Sequence, residues 1–118
     1  MNATSQLDQL VLFLEAALPK LLPGEKIRVE NGIVYGGGDF VTIQETEIER
    51  PTIAGPRKFP GWSVSTWHYI PSTRWEPADV DEKEVGQYPS WTQAAEAFLV
   101  ELFRDKVENE FQRASKPD

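Results

Sequence analysis

The chain is 118 residues long, with 12 Lys plus Arg against 19 Asp plus Glu, a formal net charge of -7 and no cysteine. Its 40% hydrophobic and 26% charged residues are ordinary for a globular domain, and the length suits one domain over residues 1–118. The missing cysteine excludes a disulfide scaffold, a thiolate nucleophile and Cys-ligated metal centres, and the single histidine, His68, excludes a multi-histidine metal site in one chain.

Leu7, Leu10, Val11, Leu14, Leu18, Leu21 and Leu22 recur at three- and four-residue spacing, which predicts an amphipathic first helix. Ser5 or Thr4 is its expected cap, and Asp8 suits the helix dipole. Pro19 lacks a backbone donor and predicts a kink or end near Leu18; Pro23-Gly24 stops the helix. The period then becomes two. Ile27 and Val29 alternate with Arg28 and Glu30, Asn31-Gly32 suits a type I′ turn, and Ile33-Val34-Tyr35 returns.

Phe40 to Ile48 reads as the next strand. Its mixed faces predict a bulge near Gln44, or a distal half that leaves the sheet. Residues 51–60, rich in proline and holding Arg57 and Lys58, are expected to form a loop. Trp62 to Ile70 is a strand with Trp62, Val64, Thr66, His68 and Ile70 on one face and Ser63, Ser65, Trp67 and Tyr69 on the other. A second loop is expected over 71–83 and a short strand over Glu84 to Tyr88. Ser90 with Gln93 has the capping-box pattern of a long last helix. One row on it is Trp91, Ala95, Phe98 and Leu102, another Leu99, Phe103, Val107 and Phe111; a frayed tail is expected from about 114 to 118. The expected class is α+β: helix, antiparallel meander of four to five strands, long helix, packed as a two-layer sandwich.

No chemical motif stands out. Gly36-Gly37-Gly38 lacks the Lys-Ser/Thr ending and following helix of a phosphate loop, so a hairpin connection is expected. No serine lies in a nucleophile elbow, and the run Glu76, Asp79, Asp81, Glu82 and Glu84 lacks calcium-loop spacing and reads as a solvated loop. No catalytic residue, metal or cofactor is assigned. The aromatics are more suggestive. Trp67, Tyr69, Arg74 and Trp75, with His68, are the candidate binding residues, since Trp, Tyr and Arg dominate interface hot spots. Both faces of their strand carry aromatics, so one face needs cover from the 71–83 loop through Trp75 or from a partner. Leu12, Phe13, Phe103, Val107 and Phe111 lie off the main helical stripes and are candidates for a homodimer seam.

The stretch Trp67-His68-Tyr69-Ile70-Pro71-Ser72-Thr73-Arg74-Trp75-Glu76-Pro77, followed by Glu84-Val85-Gly86 and a helix, resembles small uncharacterised proteins encoded in phage and prophage genomes. The resemblance covers residues 61–113, implies a cytoplasmic accessory role in a bacterium and supplies no catalytic residue. Met1 to Ser5 lacks the basic start of a signal peptide, and the apolar run after it is interrupted by charges, so the cytoplasm is expected and a membrane span is not. Net charge -7 argues against direct nucleic-acid binding.

The leading expectation is a non-enzymatic, acidic interaction protein that binds a protein partner. One version has Glu45, Glu47 and Glu49 and the 76–84 acids imitate nucleic-acid phosphate. A small-ligand or carbohydrate module using the Trp/Tyr face is the alternative, and an enzyme with His68 as acid/base a further one.

Overall fold

Ser5 starts the first helix from an extended backbone, its Oγ accepting the Asp8 N–H at 3.1 Å. The computed structural model describes residues 5–115, so Thr4, the other expected cap, lies outside the described residues. Helix α1 covers Gln6–Leu21 and runs through Pro19, so of the kink or end expected near Leu18 the end does not occur. Pro19 sits in the last turn, where its missing donor costs a single bond. The Leu18 carbonyl still accepts the Leu22 N–H at 2.8 Å, and burial of Leu18 and Leu22 holds that turn in place.

Strands β1 (Ile27–Glu30) and β2 (Ile33–Gly36) form the expected hairpin, with Asn31 and Gly32 at φ 53° and 77°. Strands β3 (Val41–Thr52), β4 (Gly55–Ile70) and β5 (Asp79–Tyr88) follow, then helix α2 (Trp91–Ser115). The fold is α+β: the five strands pair antiparallel in chain order as an open sheet, and the helices pack on it. The core joins Leu10, Leu14, Leu18 and Leu22 to Val34, Val41, Ile43, Trp62 and Val64, and to Ala94, Ala95, Phe98 and Leu102 of α2. Of the two rows on α2, the one with Ala95, Phe98 and Leu102 is therefore in the core. Ser90 Oγ caps α2 by accepting the Gln93 N–H at 3.4 Å, and the helix reaches Ser115, past the expected start of fraying at 114. Residues 116–118 of that tail lie outside the described residues.

The glycine run is explained by packing. A Cβ on Gly36 would collide with Phe98 Cζ and meet both Cε atoms at 3.2 Å, so α2 reaches the sheet only because that position is bare. Gly37, Gly38 and Asp39 then take φ of 63°, 64° and 71° to turn the chain into β3.

One expected loop is a hairpin and the other is shorter than expected. Residues 51–60 belong to a hairpin whose only turn residues are Ile53 and Ala54. The prolines are accommodated by ladder geometry. Trp67 N–H donates to the Phe40 carbonyl at 2.8 Å, so in the β3–β4 register even positions of β3 bond to β4 and odd ones point away. Pro51, Pro56 and Pro60 all fall on outward-pointing positions, where no β3–β4 bond is lost. The 71–83 loop shrinks to 71–78, which keeps Glu76, while Asp79, Asp81, Glu82 and Glu84, exposed as expected, lie in strand β5.

No bulge occurs at Gln44. Instead the distal half leaves the sheet: β2 accompanies β3 only over Val41–Ile43, and β5 ends opposite Trp62. Beyond Thr46 and Gly61 the hairpin is a two-stranded arm of roughly 20 Å. It accounts for a longest dimension of 60 Å and a radius of gyration of 17.2 Å, against about 13.5 Å for a compact domain of this length. Ile48 anchors its base, buried over Gly61, where a Cβ would meet it. The bulge of the sheet is in β5: the register shifts between Val64 and Ser65, leaving Val85 without an opposite residue.

Candidate functional site

At the far end of β4 the hairpin to β5 carries an exposed apolar group. Tyr69 stands opposite Val80 and is 70% exposed; Ile70 and Val80 are exposed beside it. The connection 71–78 does not fold back over the sheet. Trp75 is 84% exposed, so of the two covers expected for the aromatic face the loop does not supply one through Trp75. The loop is nonetheless ordered by one side chain. Thr73 Oγ1 accepts the N–H groups of Trp75 at 3.3 Å and Glu76 at 3.0 Å, and Thr73 N–H donates to the Glu76 carbonyl at 2.8 Å. Arg74 places its guanidinium 5.4 Å from the Trp75 ring centre. A tight turn thus presents an indole with its own cation.

The five candidate residues do not converge on one point. Trp67 and Tyr69 lie on the sheet face away from the helices, His68 on the helix side, and Arg74 and Trp75 beyond the strand end. Trp67 is half-buried and tethered, its Nε1–H donating to Thr42 Oγ1 at 2.9 Å. The rest of that open face is a polar ladder. Ser63 and Ser65 donate to Glu84 at 2.9 Å and Glu82 at 3.0 Å, and Arg28 covers the Tyr35 ring at 4.2 Å. Hydrogen bonding to Asp39 raises the Arg28 pKa, opposed by desolvation and supported by Glu30. Polar side chains thus occupy much of that face, while Tyr69 and Val80 at its end stay exposed.

His68 opens onto a cleft of ≈ 370 Å³ between the sheet and α2, shared with Lys83, Glu101, Arg104, Asp105 and Glu108. Its ring meets the Phe40 ring edge-on at 5.4 Å and, among the described residues, hydrogen-bonds no carboxylate. Burial pushes the Asp105 carboxyl up, Glu108 pushes it further and His68 opposes them. The cleft holds charges of both signs, and among the described residues no group of three or more His, Asp or Glu is arranged to hold a metal ion.

The helices leave an apolar groove of ≈ 550 Å³ between Phe13, Leu21 and Leu22 of the first helix and its exit and Leu99, Val100 and Phe103 of the second. Of the candidate seam residues, Phe13 lies 5.9 Å from the Trp91 ring and, with Phe103, lines this groove; Leu12 is exposed on α1. Phe103, Val107 and Phe111 continue the surface along α2. Leu21 was missed because it reads as part of the α1 core stripe, and Val100 because it falls on neither row of α2. Val80 was missed because the acids around it hide its alternation with the strand.

Comparison with protein-family models, curated proteins and solved structures returns no match. Among the described residues no helix is long and apolar enough to cross a membrane.

Proposed function

We propose that this chain is a non-enzymatic accessory protein that binds a protein partner through the β4–β5 end, with Trp75 as anchor, Arg74 as its polar handle and Tyr69 with Val80 as the adjoining floor. The observation that carries this reading is the 84% exposure of an indole held on an ordered turn. An anchor already fixed in place loses little conformational freedom on binding, and aromatic and Arg side chains concentrate binding energy.

The test is a tagged pull-down from the native host's lysate, beside Trp75→Ala and a distant surface control, Lys20→Ala, read by mass spectrometry and then by titration. Loss of about 2 kcal/mol, some thirtyfold in Kd, is expected for Trp75→Ala and none for Lys20→Ala. A stoichiometric partner held equally by Trp75→Ala overturns the assignment.

The groove between the helices favours a second contact, a homodimer with Leu12, Phe13, Phe103, Val107 and Phe111 in its seam. Light scattering at micromolar protein is expected to give twice the 13.4 kDa chain mass, reduced to one chain by Phe103→Glu. A monomeric parent refutes it.

A further inference from the structure

The two edges of the arm are unlike. Alternation in the β3–β4 ladder points the backbone groups of Pro56, Lys58 and Pro60 outward on the β4 side and those of Glu45, Glu47, Glu49 and Pro51 outward on the β3 side. Two of the three outward donors on the β4 edge are thus deleted by proline, a common protection of sheet edges. On the β3 edge three consecutive outward residues keep both N–H and C=O, and all three are glutamates. The β2 strand, which would cover them, stops at its turn beside Gln44.

The glutamates decide which strand fits there. When two copies of an antiparallel edge pair about a twofold axis perpendicular to the sheet, residues facing each other lie on the same face. Every register that pairs the two Glu45–Glu49 stretches in this way sets a glutamate of one copy against a glutamate of the other, and like charges directly opposite are destabilising. Self-pairing is therefore blocked, while Lys or Arg at alternate positions of an incoming strand would face Glu45, Glu47 and Glu49 in turn. Lys58, 3.8 Å from Glu47, already shows the ladder taking a cation. We infer that the β3 edge over Glu45–Glu49 accepts an extended segment of a protein partner with alternating basic residues, adding it as a further strand. Main-chain bonds would supply attachment and the glutamates selectivity. This surface is separate from the Trp75 end and does not depend on it.

The probe is a fluorescent, capped peptide in which Lys alternates with Thr and Val, titrated against the full chain by anisotropy. Glu47→Pro removes an outward donor without touching the β3–β4 ladder, and Glu47→Gln removes only the charge. Glu47→Pro is expected to weaken binding at least about tenfold and Glu47→Gln by no more than about fivefold, the span of one exposed ion pair. The triple variant Glu45→Lys, Glu47→Lys, Glu49→Lys is expected to take an alternating-Glu peptide instead, and Trp75→Ala to change nothing. Circular dichroism checks the fold of each variant. Should Glu47→Pro fail to fold, a Lys peptide N-methylated on the pairing amides decides the matter with the unaltered chain. Equal binding of that peptide and its parent, equal effects of Glu47→Pro and Glu47→Gln, or no binding at millimolar peptide would each overturn the inference.

Discussion

Replacing Gly36 by alanine tests the contact that lets α2 lie on the sheet. The new Cβ would overlap Phe98 Cζ, and Phe98 is fully buried, so its ring cannot swing into solvent. Overpacking of this kind costs about 1–3 kcal/mol. Because the Gly36 backbone has no positive φ, alanine recovers about 0.5–1 kcal/mol of strand propensity. The net expectation is a loss of roughly 1–2 kcal/mol. For 118 residues the unfolding entropy makes 1 kcal/mol about 4 °C, so Tm should fall by about 4–8 °C in a calorimetric scan. Phe98→Leu shortens the ring and opens the space that alanine needs. In that background Gly36→Ala should cost little or nothing, giving a coupling of about 1–2 kcal/mol in the double-mutant cycle. An equal cost in both backgrounds would show that Phe98 is not the obstacle and would refute the packing account of the glycine run.

Two further substitutions probe the sheet's other surroundings. Trp67→Phe strands the buried Thr42 hydroxyl, 5% exposed, and is expected to lose about 1 kcal/mol in urea unfolding; adding Thr42→Val should return part of it. Asp105→Asn should raise stability at neutral pH by no more than about 0.5 kcal/mol, the scale of a surface substitution. The sign follows from the raised pKa. The folded state holds the proton more tightly than the unfolded one, so that contribution is present below the ordinary 3.8 and is lost as pH rises through the folded value. The gain from Asp105→Asn should vanish in acid, and a gain that persists there would contradict the burial account.

Local chemistry was legible where a residue type admits one backbone solution. Asn31-Gly32 specified its turn, Ser5 and Ser90 their caps, and the leucine spacing the buried face of α1. Pro51, Pro56 and Pro60 misled because a proline's cost in a strand depends on whether its nitrogen faces the partner, which is fixed by a register the sequence does not display. The β5 acids misled in a related way: they are exposed as expected, but a run of charges does not display the strand in which Glu82 and Glu84 accept bonds from Ser65 and Ser63. The faces of β4 were legible from alternation, but Trp75's exposure was not, since it depends on how Thr73 closes its turn.

The placement of the two proposed protein-binding surfaces on one long strand has a consequence for how they combine. Tyr69 lies eleven positions along β4 from Lys58, the residue beside the Glu47 edge, or roughly 35 Å at strand rise. Charges on one surface are screened from the other over about 8 Å at physiological ionic strength, so several screening lengths separate them. No shared side chain joins them, and the intervening strand residues from Trp62 to Thr66 are buried. Effects of Trp75→Ala on capture of the β4–β5 partner and of Glu47→Pro on the basic peptide should therefore be independent, each single variant leaving the other binding unchanged within about 0.5 kcal/mol. Stronger coupling would mean that the arm and the β4–β5 hairpin move as alternatives of one two-state element. It would then be the twist of β4, not the local chemistry of either end, that links them.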